Sequence, residues 1–203
     1  MDLPAVETPT EATAAPSLVA LADATFEQVS PYDGVGFRHH CKRLFTFATM
    51  LMEAEGLSLD RDLAYLIAMV HDLGLVSEVD QGHNYLQRSR ALFERITKNV
   101  DLPEHDPQIV TECLLYNHRL LPVPNLSPTA DCFRRAVIIE HSRGLKRYGL
   151  DRDTVKTTFG KYPRGNFDRV LLDFTWRTIK REPLTLVSGV FFGAGPAAHT
   201  PTV

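Results

Sequence analysis

No stretch of this 203-residue chain approaches the ~20 consecutive apolar residues that a membrane-crossing helix needs. Cysteine is scarce: Cys41, Cys113 and Cys132 are odd in number, widely spaced and without a CxxC pair. That excludes a disulfide framework and a thiolate zinc site, and it suits a reducing compartment. Phosphate-loop spacing is missing too, since "YGL" and "GKYPRGN" hold glycine and basic residues at the wrong intervals. The first residues, "MDLPAVETPTEATAAPS", lack the basic-then-apolar order of a secretory leader. Their acidic, Pro/Thr/Ala-rich composition predicts a disordered segment over 1–16. The expectation is a cytoplasmic protein with no membrane partner.

What is present is ordinary for a globular domain: 44% apolar and 23% charged residues. One domain is expected over 17–192, followed by a flexible tail over 193–203. The net charge of −3 is unevenly spread. Residues 1–60 carry 3 basic and 9 acidic groups, whereas 133–181 carry 13 basic and 5 acidic. Two readings are open: solvated helix faces that pair with the acidic half, or a positive mouth that attracts an anionic substrate. A nucleic-acid partner is not expected, for want of a binding motif. A homo-oligomer is compatible with this composition.

Period 3.6 dominates the apolar pattern and predicts an all-α, single-domain helical bundle. A short helix over 17–29 stops at Ser30-Pro31, and "PYDGVG" makes a turn. A second helix runs from about Phe37 to Ala54, with Gly56 as its stop. Asp60 caps a third, whose Leu63, Leu66, Ile67 and Val70 follow i, i+3, i+4, i+7. It delivers His71 and Asp72 at its end, with Gly74 as the expected terminator. A fourth helix covers about His83 to Lys98. Pro107 opens a fifth that reaches Arg119. A sixth starts near Thr129 or Asp131 and ends around Gly144, and one or two more follow. In the last, Trp176, Phe174 and Leu171-Leu172 are expected to pack on the core. His105 is expected in an exposed loop and His199 in the tail.

The histidines define the candidate site. His40 shares a stripe with Leu44, Phe47 and Leu51 at +4, +7 and +11, so it points inward, while His39 falls on the rim. His118 repeats the arrangement beside Val110, Leu114 and Leu121. His71-Asp72 closes a third buried element. Several buried imidazoles without partners are costly, and a shared divalent cation would satisfy them together. Nitrogen and oxygen donors of this kind suit zinc, iron, manganese or nickel better than calcium. His83 can join them. A late carboxylate is needed, and "FRRAVIIEHSRG" offers Glu140 followed by His141. Both cannot point at one atom, and Glu140 is the preferred ligand, with the other residue behind it. A Cys-His nucleophile pair is excluded for His40-Cys41, whose side chains diverge by about 100° on a helix.

With His40, His71-Asp72, His118 and a late carboxylate in that order, the chain resembles the HD-domain superfamily of metal-dependent phosphohydrolases and their relatives. It is most similar to the cyanamide hydratase-like branch. The resemblance covers roughly residues 25–145 and rests on "SPYDGVGFRHHCKRLF", with His40 and Arg43 in a His-x-x-Arg pattern, and on "LIAMVHDLGL". The superfamily's last ligand is normally Asp, so Glu140 is a departure. His83 and His118 fall where dinuclear members place two extra histidines.

Three functions follow from the resemblance. In the first, His40, His71, Asp72 and Glu140 hold a divalent metal, and a metal-bound water of pKa near ~7 hydrolyses or hydrates a small polar or phosphorylated metabolite. Asp72 is then the central catalytic carboxylate, and Arg43 or Arg119 steadies a developing negative charge. The second is a dinuclear iron oxygenase using His40, His71, Asp72, His83, His118 and Glu140. The third is a catalytically inactive, metal-containing binding module.

Overall fold

The computed structural model describes residues 17–78 and 84–183. The expectations for 1–16, for His83 and for 193–203 lie outside these residues. The described chain forms eight α-helices and no strand: α1 Leu18–Val29, α2 Gly36–Ala54, α3 Arg61–Val70, α4 Tyr85–Thr97, α5 Pro107–Tyr116, α6 Pro128–His141, α7 Arg152–Lys161 and α8 Phe167–Arg181. A 3₁₀ turn, Leu73–Leu75, follows α3. The all-α expectation is met, and no described helix is long and apolar enough to cross a membrane.

Local chemistry sets most helix starts. Ser17, Asp60, Asn84, Asp106, Ser127 and Asp151 each accept a backbone N–H of the first turn, which satisfies donors the helix leaves open. Proline occupies the first turn of α5 and α6, where its missing N–H costs nothing.

The core is built on α2 and α3. The inner face of α2 buries Phe37, His40, Leu44, Phe47 and Leu51. From Leu63 to its end, helix α3 is buried at every position except the half-buried Tyr65, and it packs against α1, α2, α4 and α5. A helix apolar all round can only run through the interior, so its C-terminal end emerges deep inside the protein.

Gly74 plays a different part from the one predicted. The helix has already ended at Val70, and Gly74 has no positive φ. Its role is close approach. A Cβ there would lie 2.1 Å from the Tyr85 carbonyl oxygen and 2.4 Å from the Ser89 nitrogen. The turn is then pinned by Gly74 N donating to Ser89 Oγ (2.9 Å) and by Arg88 Nε donating to Gly74 O (2.9 Å).

Two more elements depart from expectation. Helix α5 stops at Tyr116, because the Asn117 amide turns back to the Cys113 and Leu114 carbonyls. His118 and Arg119 therefore sit in a turn, and Leu121 is exposed. On α8 the inward face is Phe167, Val170, Phe174 and Thr178. Phe174 packs as expected, but Leu172 (72% exposed) and Trp176 (55%) face outward. They lie on the opposite side of the helix from that inner stripe. His105 is half-buried, its Nδ1 bonded to the Pro103 carbonyl.

Gly74→Ala forces backbone, not a flexible side chain, to move, and is expected to cost about 3 kcal/mol. Chemical denaturation of the variant checks this; a loss under about 0.5 kcal/mol would show that the turn and α4 separate freely.

Candidate metal centre

Three groups converge where α2 passes the end of α3. His40, His71 and Asp72 are all buried, and their donor atoms lie within 4.8 Å of one another. His40 Nε2 is 3.2 Å from His71 Nε2. Asp72 Oδ2 is 3.4 Å from the first and 3.1 Å from the second.

The other ring nitrogens decide what these atoms can do. His71 Nδ1 lies 2.7 Å from the Ala68 carbonyl oxygen. A carbonyl only accepts, so Nδ1 carries the proton and the neutral ring presents a bare Nε2. His40 Nδ1 lies 3.1 Å from Glu140 Oε2, off the line of a good hydrogen bond, so neither atom is satisfied. A carboxylate at that distance still places the ring proton on Nδ1 and leaves Nε2 bare. Two nitrogen lone pairs and a carboxylate oxygen thus meet at about 3 Å in the protein's interior. They repel unless a cation, either a proton or a metal ion, sits among them. The donor set of two imidazoles and a carboxylate fits a transition metal ion.

The titration behaviour agrees. Burial pulls the His40 pKa down, but Glu140 and Asp72 more than offset it, so it lies above the ordinary value. Burial wins at His71, which is lowered despite its Asp72 neighbour. Burial would raise Asp72, yet the His71 and His118 rings beside it and the hydrogen bond from His118 hold it well below the usual carboxylate range.

His118 comes to the same place by another route. Its Nε2 lies 2.9 Å from Asp72 Oδ1 and donates to it, leaving Oδ2 for the cluster. His141 bonds its Nδ1 to the Val137 carbonyl (3.0 Å), so its Nε2 is bare. Its ring centroid lies 5.5 Å from that of His40 and 5.6 Å from that of His118.

Glu140, the preferred late ligand, stands behind His40 rather than in the cluster. Its Oε1 accepts from Arg43 Nε (3.1 Å) and Nη2 (2.6 Å), and from Arg164 Nη1 (2.8 Å). Burial would raise this carboxyl, but His40, His141 and Arg43 hold it well below its ordinary pKa. Its charge is committed to two guanidinium groups, and it reaches the cluster only through the His40 ring.

Arg43 is likewise not free to meet a substrate. It is fully buried and also donates to the Tyr162 carbonyl (2.6 Å). Arg119 is buried with Nε and Nη1 unpartnered and does not line the cavity beside the site. Arg164 was not among the residues the sequence singles out. It lies in "GKYPRGN", whose glycine and basic residues carry no local sign of a partner on α6.

A cavity of about 220 Å³ opens beside the cluster. Asp72, Tyr85, His118 and His141 line one end, and Leu75, Leu120, Val137, Ile138, Leu171 and Phe174 line the rest. Burial, Asp72 and Glu182 push the Tyr85 phenol pKa well up, so it stays protonated. A larger hollow of about 430 Å³ lies between the α1–α2 turn and α8, lined by Tyr32, Asn166 and Asp173 among others, and holds none of these histidines.

A family model described as HD domain matches residues 37–150, more than half of the chain and including every site residue from His40 to His141. No curated protein and no solved structure matches.

His141 faces the cavity with 30% of its side chain open, and burial lowers its pKa to about 4 against the help of Glu140. The unfolded chain protonates His141 near 6.5, before the folded one does. Its contribution is therefore full above that value and is lost as pH falls through about 4. Melting of the metal-free protein is expected to weaken from pH 7 to 4, and less steeply in His141→Gln. Parallel curves for the two proteins would rule out this role.

Proposed function

The chain belongs to the HD domain family, and on that premise we propose that it is a metal-dependent enzyme that hydrolyses or hydrates a small molecule bound in the cavity beside His40, His71 and Asp72. The observation that carries this is the convergence of two bare Nε2 atoms and Asp72 Oδ2, with each ring's other nitrogen facing an acceptor. A divalent ion held by these three atoms would supply Lewis-acid chemistry, lowering the pKa of water toward ~7 so that hydroxide forms at neutral pH.

The remaining roles fall to the chain's own groups. Glu140, held by Arg43 and Arg164, keeps the His40 ring turned with Nε2 inward. His118 holds Asp72 by its other oxygen. His141 Nε2 is an acceptor for a water or a substrate N–H. The protonated Tyr85 phenol is a neutral donor at the same end of the cavity. The apolar wall keeps bulk water away from whatever reacts there, which strengthens each of these interactions.

The resemblance to the cyanamide hydratase-like branch supports hydration over phosphate chemistry within this reading. A cytoplasmic location is proposed with it, and the three cysteines, all free and buried, agree with a reducing compartment. A two-ion, iron-dependent reading is favoured by one observation only. His118 approaches the second oxygen of Asp72, and the bare His141 Nε2 is near. His83 would have to complete that set.

Elemental analysis of the purified protein is expected to find about one divalent transition metal ion per chain, absent in His71→Ala and Asp72→Ala. Glu140→Gln should keep the site but weaken metal affinity about 10- to 100-fold, the usual effect of losing a group that orients a ligand. Two irons per chain with oxygen consumption would replace this reading by the oxygenase. Unchanged metal content in both alanine variants would exclude the site.

A further inference from the structure

A hollow of about 380 Å³ lies between the turn that follows α6 and one face of α7. Arg143, Arg147, Arg152 and Lys156 line it, and none of its lining residues is acidic or shared with the cavity beside the metal centre. Among the described residues Arg147, Arg152 and Lys156 form no ion pair, and Arg143 meets only the exposed Asp168 (3.1 Å). The other acids of 133–181 are committed elsewhere. Glu140 holds Arg43 and Arg164, and Asp173 holds Arg177. Asp151 caps α7, accepting from the Asp153 and Thr154 backbone nitrogens (2.8 and 3.0 Å). Asp153 lies on the opposite side of α7, facing α2. Buried Val155, half-buried Phe159 and exposed Leu145 supply the apolar part of the lining.

Two of these cations stand where they cost stability. Helix α6 closes with Gly144 N donating to Ile139 O (2.8 Å) and Arg143 N donating to Glu140 O (3.1 Å), the pairing that ends a helix in a left-handed residue. Arg143 holds that left-handed position (φ 53°), where glycine is usual because a Cβ is strained there. Arg152 opens α7, at the positive end of the helix dipole, which disfavours a cation. A merely solvated helix face requires neither choice. Local rules broken in this way, with no partner inside the fold to compensate, mark a functional site.

We propose that this hollow binds a small soluble molecule carrying a diphosphate group, at a site separate from the metal centre and independent of it. A phosphate group carries about −1.5 to −2 at neutral pH, so two of them match the four cations. Arginine forks hold phosphate oxygens in pairs, and three of the four cations are arginine. The apolar lining takes an organic body attached to the phosphates. The concave shape suits a discrete molecule, not the flat surface of an anionic bilayer, and the volume falls in the range of small-molecule sites.

Calorimetry with inorganic pyrophosphate tests this on the full chain, as purified and after metal removal, at about 0.15 M salt to screen loose surface attraction. Binding is expected in both samples. It should weaken at least about tenfold in the Arg147→Gln/Arg152→Gln double variant and stay unchanged in Lys180→Gln, a cation that lies over the Trp176 ring instead. Arg143→Gly should weaken it about fivefold while the denaturation midpoint holds or rises, because glycine relieves the left-handed position. No binding at this salt, or equal affinity in the double variant, overturns the proposal. So does binding that disappears with the metal, which would place the ligand at the metal centre. An Arg143→Gly protein that loses stability but not affinity shows the arginine to be structural and overturns it too. Phosphatidylserine vesicles that bind the chain when pyrophosphate does not would give the patch to a membrane surface and contradict the soluble ligand.

Discussion

The hydrogen bond between His71 Nδ1 and the Ala68 carbonyl governs the site. Ala68 is three residues back on the same helix, so the bond is local and enforced by the backbone. Because a carbonyl cannot donate, it fixes the tautomer and aims a lone pair at His40 and Asp72. The rest of the centre answers to that lone pair. Helix α3 must end in the interior for His71 to reach the cluster, and its unbroken apolar surface puts it there. Gly74 must lack a side chain for the following turn to lie against α4.

A second constraint sits behind His40. Arg43, Arg164 and Glu140 form a buried charge network in which every member depends on the others. Removing one partner from a buried pair typically costs ~3–5 kcal/mol, because the charge left behind has no water. The network also orients the His40 ring, so stability and metal readiness rest on the same atoms. That is a reason for Glu at position 140: a carboxylate held by two arginines serves here as a brace. Tyr162 and Arg164 tie the α7–α8 connection to this brace, so the late part of the chain reaches the centre as well.

Much of this was legible in the sequence. The stripe of His40, Leu44, Phe47 and Leu51 identifies an inward histidine, and the apolar run before His71 buries its helix end. Capping residues Asp60 and Ser127 and the prolines of α5 and α6 mark where helices begin. What the sequence could not show is direction beyond the helix period. Glu140 and His141 differ by one position, and only the placement of Arg43 and Arg164 decides which way the carboxylate faces. His118 lies past the end of α5 because the Asn117 side chain competes for the last carbonyls, an interaction that periodicity does not report. The outward Trp176 shows the same limit: α8 is apolar on two sides, and only its neighbours choose which is buried. Part of the basic excess over 133–181 is taken up in ion pairs, among them Arg135 with Glu55 and Arg177 with Asp173.

The most direct measurement is a crystal structure of the protein with an anomalous-scattering scan at transition-metal edges. The account predicts one peak bonded to His40 Nε2, His71 Nε2 and Asp72 Oδ2, with Glu140 still held by Arg43 and Arg164 behind the His40 ring. A peak coordinated by the Glu140 carboxylate, or a metal bound away from His71, would contradict it.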